Sequence, residues 1–223
     1  MIRPLSPAIT TVLSAALVVA SLSAAPGGAP QRTDTEGIKE TANFVKAGGE
    51  TSSAVGEAKL RVQNTLTAYN TLVTQPSKDM KGDYKKLLNA VKDMNESLAD
   101  ARQRVTAMEA MGTTYFAGRA ASIKGIQDEQ LRAQAQQRLD ESQKRYAGVL
   151  TSLREAGQSL EPVRKDLGDQ ITYLGSDLSP SGTASLKAQA EKLNQRAGES
   201  FARADQAIMT ANGYFNSLKP AES

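Results

Sequence analysis

The stretch that decides the fold is Leu139–Leu174, LDESQKRYAGVLTSLREAGQSLEPVRKDLGDQITYL. Leu139, Tyr146, Leu153, Leu160, Leu167 and Leu174 recur one heptad apart, and Val149, Ala156 and Val163 follow Tyr146, Leu153 and Leu160 by three residues. This spacing puts the apolar side chains on one narrow stripe of a helix, the seam that long helices bury against one another. Pro162 lies inside the run, where a proline costs a helix about 3 kcal/mol. The apolar phase still passes through it by way of Leu160, Val163, Leu167, Ile171 and Leu174. The pattern therefore predicts one continuous helix from about Asp128 to Asp177, kinked at Pro162.

The same beat extends in both directions. Upstream, Tyr84, Val91, Leu98 and Val105 form one line, with Met80, Leu87, Met94, Ala101, Met108 and Tyr115 as the other. That is a second helix, about Lys78–Lys124, with Asp79 as a cap and a bend expected at Gly112. Before it, Ile38, Val45, Leu66 and Val73, with Val55, Val62 and Tyr69, define a helix from about Asp34 to Thr74 that ends at Gln75-Pro76-Ser77. Gly48-Gly49 interrupts this one, and each helical glycine costs about 1 kcal/mol against alanine, so its first half is expected to be the loosest part. Downstream of the turn Ser179–Gly182, Leu186 and Leu193 open a helix over about Thr183–Leu218. Its small-residue line is Ala190, Ala197, Ala204 and Ala211, widened by Phe201, Ile208 and Phe215. Connections of a few residues force sequential helices to be antiparallel neighbours. The expected fold is all-α: an elongated antiparallel bundle of three to four long helices with coiled-coil-like heptad packing, one domain over 34–218, and a disordered tail, 219–223.

Composition agrees. Only 4 % of the 223 residues are aromatic and 39 % hydrophobic, which suits helices that each bury a stripe better than a compact globule. There is no His, Cys or Trp, so the commonest metal-ligating and nucleophilic side chains are missing. The net charge of +3 is spread among interleaved signs, as where Arg102 and Arg104 follow Glu96 and Asp100. No basic stripe with interleaved aromatics tracks a phosphate backbone, and nucleic acid is not an expected partner.

Residues 1–25 read as an export signal. Arg3 is the sole charge before Arg32; the apolar run Ile9–Leu22 follows, then the small residues Ser23, Ala24 and Ala25. A spanning helix wants about 20 apolar residues, and this run is shorter and diluted by Ser and Thr, so the signal is expected to be removed. Pro26, Gly27, Gly28 and Pro30 make 26–33 a flexible leader. Without a cysteine there is no lipobox for a lipid anchor, and the expected location is periplasmic or secreted.

Leu160-Glu161-Pro162-Val163, Asp169-Gln170-Ile171-Thr172-Tyr173-Leu174, Ala184-Ser185-Leu186-Lys187, and Arg138-Leu139-Asp140 through Arg145-Tyr146 resemble a family of exported bacterial proteins, domain of unknown function 2959. The likeness runs from about Leu60 to Leu218 and rests on order and spacing over that span. It implies a helical, coiled-coil fold and export, and brings no activity with it. Some relatives look like lipoproteins; this chain lacks their cysteine, so lipid tethering does not carry over.

Candidate sites are few. Asp166, Asp169 and Asp177 lack the ordered loop of oxygen ligands that calcium takes, and Asp128, Glu129, Asp140 and Glu141 lack the Glu-x-x-His partner of di-metal bundles. Neither group is expected to hold a metal, and no cofactor is implied. Met80, Met94 and Met108 share one line and are expected to fill gaps in the core. Tyr115-Phe116 is different: two adjacent aromatics should not both face one narrow seam, so one is expected to stand exposed near the bundle tip as a contact for a partner. Catalysis needs a pocket that shifts pKa values, and an a/d seam offers no obvious cavity. The expectation is a non-catalytic scaffold, spacer or adaptor that binds a protein in the cell envelope, with a homo-oligomer possible in principle. The alternative is an apolipoprotein-like bundle that opens on a lipid surface, disfavoured because its polar faces are not enriched in Lys and Arg.

Overall fold

The structure, a computed structural model, describes residues 34–219; the expected signal (1–25), the leader (26–33) and the tail beyond 219 lie outside them. Four long helices and one short one follow in order: α1 Asp34–Thr74, α2 Met80–Lys124, α3 Glu129–Ser176, α4 Pro180–Ser185 and α5 Lys187–Asn216. The helix ends follow from local chemistry. α1 stops ahead of Pro76, which has no N–H to continue the ladder. Asp79 caps α2 by accepting from the Gly82 N–H at 2.9 Å, and Asp128 caps α3 through the Leu131 N–H at 2.9 Å.

The start of the last segment differs from the sequence reading. The expected turn Ser179–Gly182 is itself helical: Ser179 Oγ accepts from the Gly182 N–H at 3.0 Å and Pro180 occupies the first helical position. A serine cap followed by proline starts a helix as readily as it marks a turn. This one-and-a-half-turn α4 ends at Leu186, and α5 sets off from there.

The four long helices form a ring in the order α1, α2, α3, α5, each antiparallel to its neighbours, with α5 closing back on α1. The heptad column of α3 is its buried stripe: Leu139, Tyr146, Val149, Leu153, Ala156, Leu160, Val163, Leu167, Ile171 and Leu174 are all in the core. Each leucine so buried contributes about 1.5–3 kcal/mol. α3 continues through Pro162, and α2 through Gly112, without a break in helical structure. Near Pro162, α5 adds a bond to the α3 backbone: buried Ser200 donates to the Ser159 carbonyl at 2.7 Å, next to the Gln158 carbonyl that Pro162 leaves without its helical donor.

Hydroxyls and ion pairs fix the register of the remaining faces. Thr65 Oγ1 on α1 donates to the Ala90 carbonyl of α2 at 3.0 Å, and Tyr69 Oη reaches Gln170 Oε1 on α3. Lys59, which falls on a seam position, is largely covered and meets Asp205 of α5 at 2.5 Å. Asn70 and Asn194 join α1 to α5 through reciprocal amide bonds of 2.9 and 3.1 Å. Ser52 Oγ is buried among the described residues with no hydrogen-bond partner.

Gly48, one of the two glycines that interrupt the apolar pattern of α1, has a specific place in the packing. It is buried, and a Cβ there would overlap the Phe215 ring of α5. The missing side chain is the seat for that ring, so the glycine supplies packing that offsets its cost in helix propensity.

Candidate functional site

Near the level where α5 ends, aromatic rings from all four long helices meet. Phe44 of α1 stacks on Tyr115 at 4.4 Å between centroids, and takes Phe116, Tyr146 and Phe215 edge-on at 5.9, 5.2 and 5.3 Å. Both members of the Tyr115-Phe116 pair are therefore buried, at 8 % and 6 % exposure. This overturns the reading of one of them as an exposed partner contact. α2 lies between α1 and α3 and buries two adjoining faces here, so side chains about 100° apart on the helix both find cover. The seam assumed from the sequence was too narrow.

Gly112 also has a specific place in this cluster. A Cβ on it would overlap the Tyr146 ring, and Tyr146 Oη donates to the Met108 carbonyl at 2.6 Å. Ser142 meets Tyr214 Oη at 3.0 Å, and the Arg145 guanidinium sits 5.5 Å from the centre of the Tyr214 ring. Burial raises the phenol pKa of Tyr146, and raises that of Tyr214 to about 12 against the Ser142 hydrogen bond, which lowers it. Burial also lifts Tyr69 to about 12. Burial keeps these phenols protonated, and Tyr69 and Tyr146 donate to Gln170 Oε1 and the Met108 carbonyl. Asp83 moves the other way: hydrogen bonds from Ser77 at 2.5 Å and Lys86 at 3.0 Å lower its pKa.

Most of the candidate acidic residues have partners of their own. Asp166 pairs with Arg196 across the α3–α5 face, and Asp177 accepts from the Ser179 N–H at 3.1 Å. Glu129 pairs with Arg132 at 3.6 Å, while Asp140 and Glu141 accept from Gln136 and Gln137. Among the described residues no three such side chains gather as a metal site. Met94 and Met108 are fully buried and Met80 packs at the edge of the core.

The structure does contain a cavity, contrary to the expectation from the seam. About 240 Å³ opens near the middle of the bundle where Ala58, Ala101, Ala156 and Ala204, one from each long helix, converge with Gly157. Apolar side chains such as Val55, Leu98, Val105, Leu153 and Leu160 complete its walls. Arg102, Arg154 and Glu161 stand at its α2–α3 mouth, where Arg102 pairs with Glu161, and Arg154 with Glu109. Ala101, Ala156 and Ala204 are legible in their own helices as small seam residues, whereas Ala58 lies off both apolar lines read in α1. Their meeting requires the relative registers of all four helices, which no single segment carries.

The family model described as protein of unknown function (DUF2959) matches residues 31–218. The chain belongs to this family. The DUF2959 match takes in every helix of the bundle, including the first half of α1 that lies upstream of Leu60. No curated protein and no solved structure matches the chain. Among the described residues of this DUF2959 chain, no helix is long and apolar enough to cross a membrane.

Proposed function

We propose that this DUF2959 chain is a non-catalytic, exported helical bundle that works by holding a protein partner in the cell envelope, as a scaffold, spacer or adaptor. The observation that supports this reading is the uneven end of the bundle. α5 stops at Asn216, with Phe215 over Gly48 of α1 and Tyr214 beside Ser142 of α3. Among the described residues, only α1, α2 and α3 run on past that level, by roughly ten to thirteen residues or about 15–20 Å. Ile38 of α1 and Leu131 of α3 stand exposed there, at 61 % and 57 %. A three-helix end offers the position of a fourth, and an amphipathic helix of a partner is the element that fits it.

The test is a photo-cross-linker placed singly at Ile38, Leu131 and, as a control on the outer face of α2, at Leu88, with the full-length chain expressed in a native envelope. One adduct of the same mass, identified as the same protein from positions 38 and 131 and absent from 88, is the expected result. No adduct from either end position, or the same adducts from all three, overturns the reading.

A further inference from the structure

The central cavity is a second feature, independent of the bundle end. Its chemistry has two parts. The interior is formed by the alanine layer and the aliphatic side chains above and below it. Apolar cavities of about 150 Å³ already take up benzene, and this one, at about 240 Å³, has room for a short aliphatic tail. The mouth is polar: Arg102, Arg154 and Glu161 line it, and the ion-paired cluster there joins Arg102 and Arg164 to Glu161 and Arg154 to Glu109, three guanidiniums to two carboxylates. All three lining groups keep a third to a half of their side chains in solvent, so they are free to exchange partners.

The cavity opens between α2 and α3 at this level. α2 and α3 are pinned by Tyr84 Oη on the Ile171 carbonyl at 3.1 Å and by Tyr146 Oη on the Met108 carbonyl at 2.6 Å. Between these pins, Tyr84 and Met108 are about 36 Å apart along α2. Midway, α3 presents Gly157, and a Cβ built on it meets nothing within 4 Å. The next residue, Gln158, also lines the cavity, and Pro162 has no N–H to give to its carbonyl. An unfilled groove, a backbone acceptor without its helical donor and two arginines thus coincide on one face.

The geometry points to a binding site for a small monocarboxylate with a single aliphatic tail, the tail in the alanine-lined chamber and the carboxylate on Arg102 and Arg154. The charge of the mouth selects an acid over the corresponding alcohol, because a carboxylate accepts charge-assisted hydrogen bonds from guanidinium groups. The cavity volume selects one short tail over a two-tailed lipid.

The experiment uses octanoate and octan-1-ol as probes against the full chain, followed by calorimetry and by the ligand-dependent rise in Tm. Octanoate is expected to bind one site and to raise Tm, more tightly than octan-1-ol does. Gly157→Leu fills the groove while replacing a helical glycine, so its Tm without ligand should rise as its octanoate affinity falls at least about tenfold. The double variant Arg102→Gln with Arg154→Gln should lower octanoate affinity by about tenfold and leave octan-1-ol binding unchanged. Octanoate without effect below its micellar concentration overturns the proposal, as does a folded Gly157→Leu protein that binds octanoate like the parent. Equal losses for acid and alcohol in the arginine variant overturn the assignment of the carboxylate to the mouth.

Discussion

Tyr146 of α3 lies directly over Gly112 of α2, its ring filling the space a side chain would take and its hydroxyl bonded to the Met108 carbonyl one turn away. The pair joins two helices through a contact that neither residue suggests alone. Gly112→Ala gains about 1 kcal/mol of helix propensity, but the methyl must displace a buried ring, and overpacking of this kind costs about 1–3 kcal/mol. The net expectation is destabilisation by up to about 2 kcal/mol, read from urea unfolding. Tyr146→Phe should cost about 1 kcal/mol through the lost hydrogen bond. A Gly112→Ala protein more stable than the parent would show that α2 and α3 do not approach as described.

Glycines elsewhere in the bundle should behave in the opposite sense. Gly148 and Gly198 are exposed within α3 and α5, and a Cβ on either meets nothing within 4 Å. Each change to alanine should add about 1 kcal/mol. Gly48→Ala, set against the Phe215 ring, should lose stability. Thermal melts of the three variants side by side check the contrast, which vanishes if Gly48 is an ordinary helical glycine.

Alkaline pH should loosen the bundle. Tyr69 and Tyr214 titrate near 12 in the folded chain, against about 10 when unfolded, and Tyr146 is raised as well. A folded pKa above the unfolded one means that the native state holds its protons longer. Its contribution is complete below pH 10 and is lost as pH climbs toward 12. Helical circular dichroism at fixed urea should therefore fall across that window. Ultraviolet titration of the phenols should show a late-ionising group that becomes normal on unfolding; a single transition near pH 10 in the native protein contradicts the burial.

Pro162 is exposed on α3 and continues the helix at a cost. Pro162→Ala should raise stability by about 1–3 kcal/mol, the range set by a proline in a helix interior. Ser200→Ala removes the bond to the Ser159 carbonyl and should cost about 1 kcal/mol. Measured together, the two changes are expected to depart from additivity, since Ser200 bonds the carbonyl adjacent to the Gln158 carbonyl that Pro162 leaves without its helical donor. Strict additivity would separate the two effects.

What the sequence reveals about this chain follows from how local each feature is. The buried stripe of α3 is legible residue by residue, because a heptad reports its own helix. The starts of α2 and α3 are legible too, as each rests on an aspartate within three residues of the N–H it satisfies. The break at Leu186 is less visible, since Ser179-Pro180 fits a turn and a first helical turn equally well. Tyr115-Phe116, Gly48 and the alanine layer were beyond reach for a different reason. Each is decided by what another helix brings to the same level, Phe44 and Phe215 above all.

The closure of α5 against α1 has a consequence for how the protein is made. Lys59 must wait for Asp205, and Asn70 for Asn194, so the face of α1 that meets α5 is covered only after α5 is made. Loop closure over that much chain is slow relative to the hairpins between successive helices. A nascent chain released before α5 would carry aliphatic faces of α1 and α3 open to water, an adhesive three-helix species that invites aggregation. Completing the 30 residues of α5 is thus the step that turns a sticky intermediate into a four-helix bundle.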